Sequence, residues 1–497
     1  MRRIPSGTGA IPPRRTGSRP PVVMLMHSYV DSAGATGIQR AAAASLAFGL
    51  IALGALGAGS APGIKPLRYE EDYRYLQDPA QRTGERFALE SLKFIPLRKP
   101  DGAYASIGGE VRLQYKILRY PNFGAYAGDS DGYLLQRYLL HGDLHLEDFF
   151  RLFAQLQSAI ASFEEGMPGP VDEDRLAFHQ LFMDFARRTS AETELTLRLG
   201  RQEMLYGSQR IIGVREGPNV RRAFDAVRLL LATRNWRIDG FVARPVETDR
   251  GIFDDGSEAG AKFWGVYASR PLGQFGGKAD VYVLGYERPN AIFNQGRGDE
   301  RRHSVGFRLF GVQGGVDFNF EALAQWGRFA RGNIRAWTVA SDTGYSTGRF
   351  RLGLMANVSS GDRDPDDVDL GTFNPLFPRG NYFGESAVIG PLNLVDVHPL
   401  IQFSVTPSLR LEAGCTWYWR QSLGDGVYGG ALNLVRGADG SQERFIGREW
   451  SLLADWKLNR HVSFILSYAH IVAGAFLEEK RPTSDLDYVS LQATYRF

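Results

Sequence analysis

The side chains best placed to do chemistry are arginines. Arg198, Arg201, Arg210, Arg215, Arg221, Arg222 and Arg228 fall within one stretch whose only acids are Glu203, Glu216 and Asp225. Guanidinium groups grip carboxylates bidentately and keep their charge at any working pH. Three local acids cannot neutralise seven cations, so the stretch is expected to offer several spaced, weak sites for an anion. Such a ladder suits passage better than capture, because conduction needs favourable entry without slow exit. Arg112, on an earlier segment, points the same way by its strand position, against the competing reading that inward arginines outside 198–228 pair across the wall with inward acids such as Glu110 and stiffen it.

Other candidate chemistry is weaker. Asp362, Asp364, Asp366, Asp367 and Asp369 have a spacing that calcium could use, against the simpler reading of a solvated acidic loop. His141 and His145, both on one strand face, would stand about 13 Å apart, too far to share a metal. The lone Cys415 excludes a disulfide framework and a multi-cysteine site. No GxSxG elbow, HExxH helix or phosphate loop follows residue 60. The expectation is no enzyme, no metal and no cofactor, although a triad assembled across strands would leave no local motif.

Elements able to hold these arginines in water are legible in alternation. In Tyr488 to Phe497 (YVSLQATYRF) the apolar Val489, Leu491, Ala493, Tyr495 and Phe497 alternate with Ser490, Gln492, Thr494 and Arg496. One face suits lipid and the other water, over the length a tilted strand needs to cross a bilayer. Ile107, Val111, Leu113, Tyr115 and Ile117 likewise alternate with Glu110, Arg112, Gln114 and Lys116. Eighteen such segments can be counted from 105–117 to 488–497. The fold class expected is all-β: a transmembrane antiparallel β-barrel of about 18 strands, with short periplasmic turns and long extracellular loops. Links are short at Asp148-Phe149, around Arg234, at Thr406-Pro407 and at Asn459-Arg460. Long ones, at Ser359 to Val397 and Gln421 to Ile446 among others, all fall on the opposite side. Trp417, Trp419, Trp450 and Trp456 take outward positions suited to a membrane interface.

Composition agrees. A mean hydropathy of −0.24 excludes a bundle of membrane helices, and 58 basic against 55 acidic residues give no support to nucleic-acid binding. Ala41 to Ala58 (AAAASLAFGLIALGALGA) is laid out as a secretory signal peptide, with a retained anchor as the alternative; Met24 or Met26 is the expected start of translation. The domain reading is 1–60 removed, 61–103 a periplasmic segment and 104–497 the barrel.

Three segments carry a family resemblance: Arg68 to Leu97 (RYEEDYRYLQDPAQRTGERFALESLKFIPL), Gly108 to Ile117 (GGEVRLQYKI) and Gly200 to Arg228 (GRQEMLYGSQRIIGVREGPNVRRAFDAVR). With them the chain resembles the alginate export family of outer-membrane barrels, from about residue 66 to Phe497. The resemblance implies residence in the bacterial outer membrane, a lumen that passes an acidic polysaccharide or related acidic solute, and arginines of 200–228 along that path. The terminal strand ending in Phe resembles the signal shown to the barrel-insertion machinery. One departure matters. The turn Leu458 to His461 is too tight to plug a pore as the family's exporter is held to be plugged, so gating is expected from the loop Ser359 to Val397, with Asp362, Asp364 and Asp366 at its start. The competing function is a structural or receptor barrel with a closed lumen and ligand-binding outer loops.

Overall fold

The computed structural model describes residues 64–81, 90–97, 102–124, 132–163, 171–273, 276–381 and 384–497. The signal peptide and the start of translation lie outside the described residues. Eighteen long strands form the wall. They are β1 Tyr104–Arg119, β2 Tyr133–Leu146, β3 Phe150–Ser162, β4 Asp174–Ser190, β5 Thr193–Gln202, β6 Phe224–Ala232, β7 Arg237–Glu247, β8 Lys262–Pro271 and β9 Gly277–Phe293. The rest are β10 Gly296–Gln313, β11 Val316–Phe329, β12 Gly332–Thr347, β13 Phe350–Ser359, β14 Leu394–Thr406, β15 Leu409–Arg420, β16 Phe445–Lys457, β17 Val462–Ala473 and β18 Leu486–Arg496. Each pairs antiparallel with its neighbour, and β18 closes on β1 from Glu110↔Arg496 to Arg119↔Asp487. All eighteen expected segments are present.

Alternation sets the two faces. On the outside Val242, Leu229 and Leu140 are half or more exposed, as side chains facing lipid must be when the bilayer is absent. Between them Arg112 and Arg137 are wholly buried inside. Links after even-numbered strands are short, such as 191–192, 348–349 and 407–408, whereas 203–223, 360–393 and 421–444 follow odd-numbered ones. Links 294–295 and 330–331 are short on the long side because β9 to β12 themselves run on past their neighbours. Among the described residues no helix is long and apolar enough to cross a membrane; strands do the crossing.

The interior is partly filled by the chain itself. Tyr69 is buried edge-on against Phe153 and Phe182, with centroids 6.1 and 5.3 Å away. Both rings point inward from β3 and β4, so the N-terminal segment enters the barrel from the periplasmic end. From the other end the β5–β6 and β13–β14 links fold in and meet: Phe377 N donates to Ile211 O at 2.9 Å, and Gly213 N to Phe377 O at 2.8 Å. Inward Phe224, Phe241, Phe263 and Tyr286 pack with Phe373 and Phe377 of the second link and with Tyr428 of the β15–β16 link in one apolar cluster.

Candidate anion path in the barrel interior

Most of the expected arginines are used to hold these inserted loops. Arg112 donates to Glu216 O at 2.6 Å and to Pro218 O at 2.7 Å, stapling the tip of the β5–β6 link to β1. Arg221 reaches back to Glu203 at 2.6 Å and to Glu216 at 3.2 Å. Arg210 lies 3.9 Å from Glu321 on β11. Arg198 makes a bidentate pair with Asp184 on β4, at 2.7 and 2.8 Å, and Arg228 pairs with Asp239 on β7. The acids that balance the arginines therefore include Asp184, Asp239 and Glu321, distant in sequence and adjacent across the barrel.

Arg201 sits differently. It stands opposite Leu181, one position off the inward pair Gly200↔Phe182, so it shares the outward face with Leu199 and pairs there with Asp225 at 2.8 Å. The wall, not the lumen, holds it.

Arg215 and Arg222 remain. Neither forms an ion pair among the described residues; Arg222 donates to Pro378 O at 3.2 Å and stacks over Phe377, 5.2 Å from its centroid. Burial pushes the Arg215 pKa down to about 10, which leaves it charged at neutral pH. The sequence reading missed a third member, Arg379, whose guanidinium donates to Asn381 at 2.9 Å and whose backbone N binds Gln209 O at 3.0 Å. Arg379 belongs to the loop singled out for gating, but only the strand-like pairing of the two links brings it to Arg222. Among the described residues these three cations form no ion pair, and Arg222 holds the carbonyl next to Arg379 where the inward loops touch.

The acidic run takes another position. Asp362 is buried and its carboxylate accepts the backbone N–H groups of Asp364 and Gly371, at 3.0 and 3.1 Å. Asp364 and Asp366 are exposed, and Asp364 caps Asp366 N at 3.1 Å. These aspartates shape the outer entry to the loop, while 371–381 forms its inserted part. No group of His, Cys, Asp and Glu able to hold a metal is present among the described residues.

Sequence reasoning also missed a buried charge network beside this junction. Arg137, fully buried on β2, binds Glu110 on β1 at 2.7 Å and Glu216 at 2.5 Å, and Arg496 on β18 binds Glu110 at 2.7 Å. It ties the seam of the barrel to the inserted link.

A closed antiparallel barrel with a lipid-facing apolar band, a charged interior and inward-folded outer loops defines an outer-membrane channel. Solved porins share the fold. A BenF-like porin from Pseudomonas fluorescens Pf-5 superposes with a TM-score of 0.53 at 10% identity, over 79% of this chain and 98% of that one. Pseudomonas aeruginosa OpdK, solved with vanillate, gives 0.52 at 12% identity over 79% and 98%, and OpdO from the same organism 0.52 at 12% over 79% and 97%. No curated protein matches the sequence. The alginate export family model matches residues 103–490, and the chain belongs to that family.

Proposed function

We propose that the protein passively conducts an acidic solute of the alginate type, a polyuronate or a smaller carboxylate, and that the cations reading it are Arg215, Arg222 and Arg379. The observation that carries this is that none of the three forms an ion pair among the described residues, where Arg198, Arg210, Arg221 and Arg228 each stand within 4 Å of an acid of the wall or the loops. Engaged arginines set the shape of the passage and unpaired ones set its charge. A carboxylate passing the loop junction can exchange among three guanidinium groups without a deep single well, as transport requires. The loop 360–393 acts as the outer constriction through 371–381, and Asp362, Asp364 and Asp366 govern its entry.

Planar-bilayer recordings test the reading. The unmodified protein is expected to prefer anions, and Arg215→Gln with Arg222→Gln to reduce that preference by about half or more while Arg201→Gln, on the outside, leaves it intact. Cation preference in the unmodified protein would sink the proposal. A second reading, a receptor barrel with a closed lumen, draws on Tyr69 and the apolar cluster that fill the interior; zero conductance with intact heat-modifiable folding would favour it.

A further inference from the structure

The outward face of β8 to β12 carries a dense row of charge. Lys262, Glu287, Arg301, Arg328 and Asn333 stand directly opposite one another on successive strands. Two residues toward the membrane, about 7 Å along a strand, lies a second row that includes Trp264, His303 and Trp326. A third includes Val266, Val283 and Val305, each 41–52% exposed. The polar-to-aromatic-to-aliphatic transition of a membrane boundary thus follows the strand register here, and the polar row lies on the outer side, beyond which β8 continues into the long link 248–261.

That row is cationic well beyond its needs. Glu287 serves Arg301 at 3.0 Å and Lys262 at 3.5 Å. Arg328 faces Arg301 directly, and like charges opposed on neighbouring strands repel. Arg331 in the adjoining turn adds another exposed cation, and Arg335 on β12, opposite Trp326, adds one in the second row. The nearby Asp369 is occupied by the backbone and side-chain nitrogens of Asn333, at 2.8 and 3.3 Å. Further around the barrel the outward row Val397, Trp417, Arg448, Val472 holds a single cation. A repelling arginine pair above an aromatic and aliphatic surface is complementary to one kind of occupant: an amphiphile with acyl chains below and phosphate at the level of the arginines.

We propose that β10 to β12 carry a binding site for a phosphorylated glycolipid of the outer leaflet, with Arg301 and Arg328 sharing one phosphate and Arg331 and Arg335 reaching a second. The phosphate removes the Arg301–Arg328 repulsion, and the acyl chains lie against the Trp326 and Val305 rows.

Full-length protein in detergent, titrated with diphosphoryl lipid A and followed by native mass spectrometry, tests this. Diphosphoryl lipid A is expected to bind about tenfold or more tightly than its dephosphorylated form, and Arg301→Gln with Arg328→Gln to abolish that difference. Arg448→Gln is the control and should bind as the unmodified protein does. All these side chains are on the surface, and heat-modifiable migration checks that the variants fold. Equal affinity for the two lipids, or undiminished binding by the Arg301/Arg328 variant, overturns the proposal; binding of a soluble polyuronate at this row in preference to the lipid does so as well.

Discussion

The Arg68 guanidinium donates to the carbonyl of Phe497 at 2.7 Å, joining the N-terminal segment to the last residue of the chain. It also donates to Gly109 O at 3.0 Å, so one side chain holds both strands of the seam where β18 closes on β1. Gly109 itself must be glycine, since a Cβ would stand 2.7 Å from the Phe497 ring.

Arg68→Ala is therefore expected to loosen closure. Charge-assisted hydrogen bonds contribute about 1.5–3 kcal/mol each, and the change also leaves buried Glu71, 2.9 Å away, with only the Lys65 N–H and the Tyr73 hydroxyl as donors among the described residues. Urea unfolding in detergent should show a loss of about 3 kcal/mol, with Arg68→Lys intermediate. An unchanged midpoint would remove Arg68 from the seam.

Tyr69 should act as a stopper. It packs against Phe153 and Phe182 and its hydroxyl donates to Glu203 O at 2.9 Å, linking the N-terminal segment to the β5–β6 link. Tyr69→Ala is expected to raise single-channel conductance or its frequency of opening at unchanged ion preference, because the cations at the loop junction are untouched. Identical traces would show that the segment lies clear of the conducting path.

Arg137 answers two carboxylates, Glu110 and Glu216, in a fully buried position. Removing one partner of a buried ion pair costs about 3–5 kcal/mol through the charge left behind. Arg137→Ala should destabilise the barrel by up to that order, moderated by Arg496, which stays on Glu110 at 2.7 Å, and Arg221, which stays on Glu216 at 3.2 Å; Arg137→Lys, which keeps the charge, should recover part of the loss. Failure of the second change to help would mean that packing, rather than charge, accounts for the loss.

Lys93 predicts a pH dependence. Burial, with the positive charge of Arg68 beside it, lowers its pKa to about 7, below the value of about 10.4 for a free lysine. Between those values the undocked segment binds more protons than the docked one, so docking strengthens as pH rises from about 7 to 10 and is insensitive to Lys93 below 7. Protease protection of residues 64–81 and 90–97 should increase over that window and lose its slope in Lys93→Met. A slope in the opposite direction would refute the assignment.

What the sequence determined by itself was the wall. Alternation has period two, each strand is a local pattern, and the difference between lipid and water forces every inward and outward choice; hence the eighteen strands, the two-sided loop lengths and the closing strand were legible in residues such as Val489 to Phe497. The charge of the interior was not. Seven arginines against three acids read as an unneutralised run because pairing was counted along the chain, whereas barrel closure and inserted loops set Asp184, Asp239 and Glu321 beside them from other strands. Gly200, with φ +126, stands just before Arg201, the one member of the run turned to the outside. Only the tertiary structure could bring the segment of Arg379 to Arg222 and Tyr69 into the barrel, because loop insertion depends on contacts between segments more than eighty residues apart that leave no periodic trace in either.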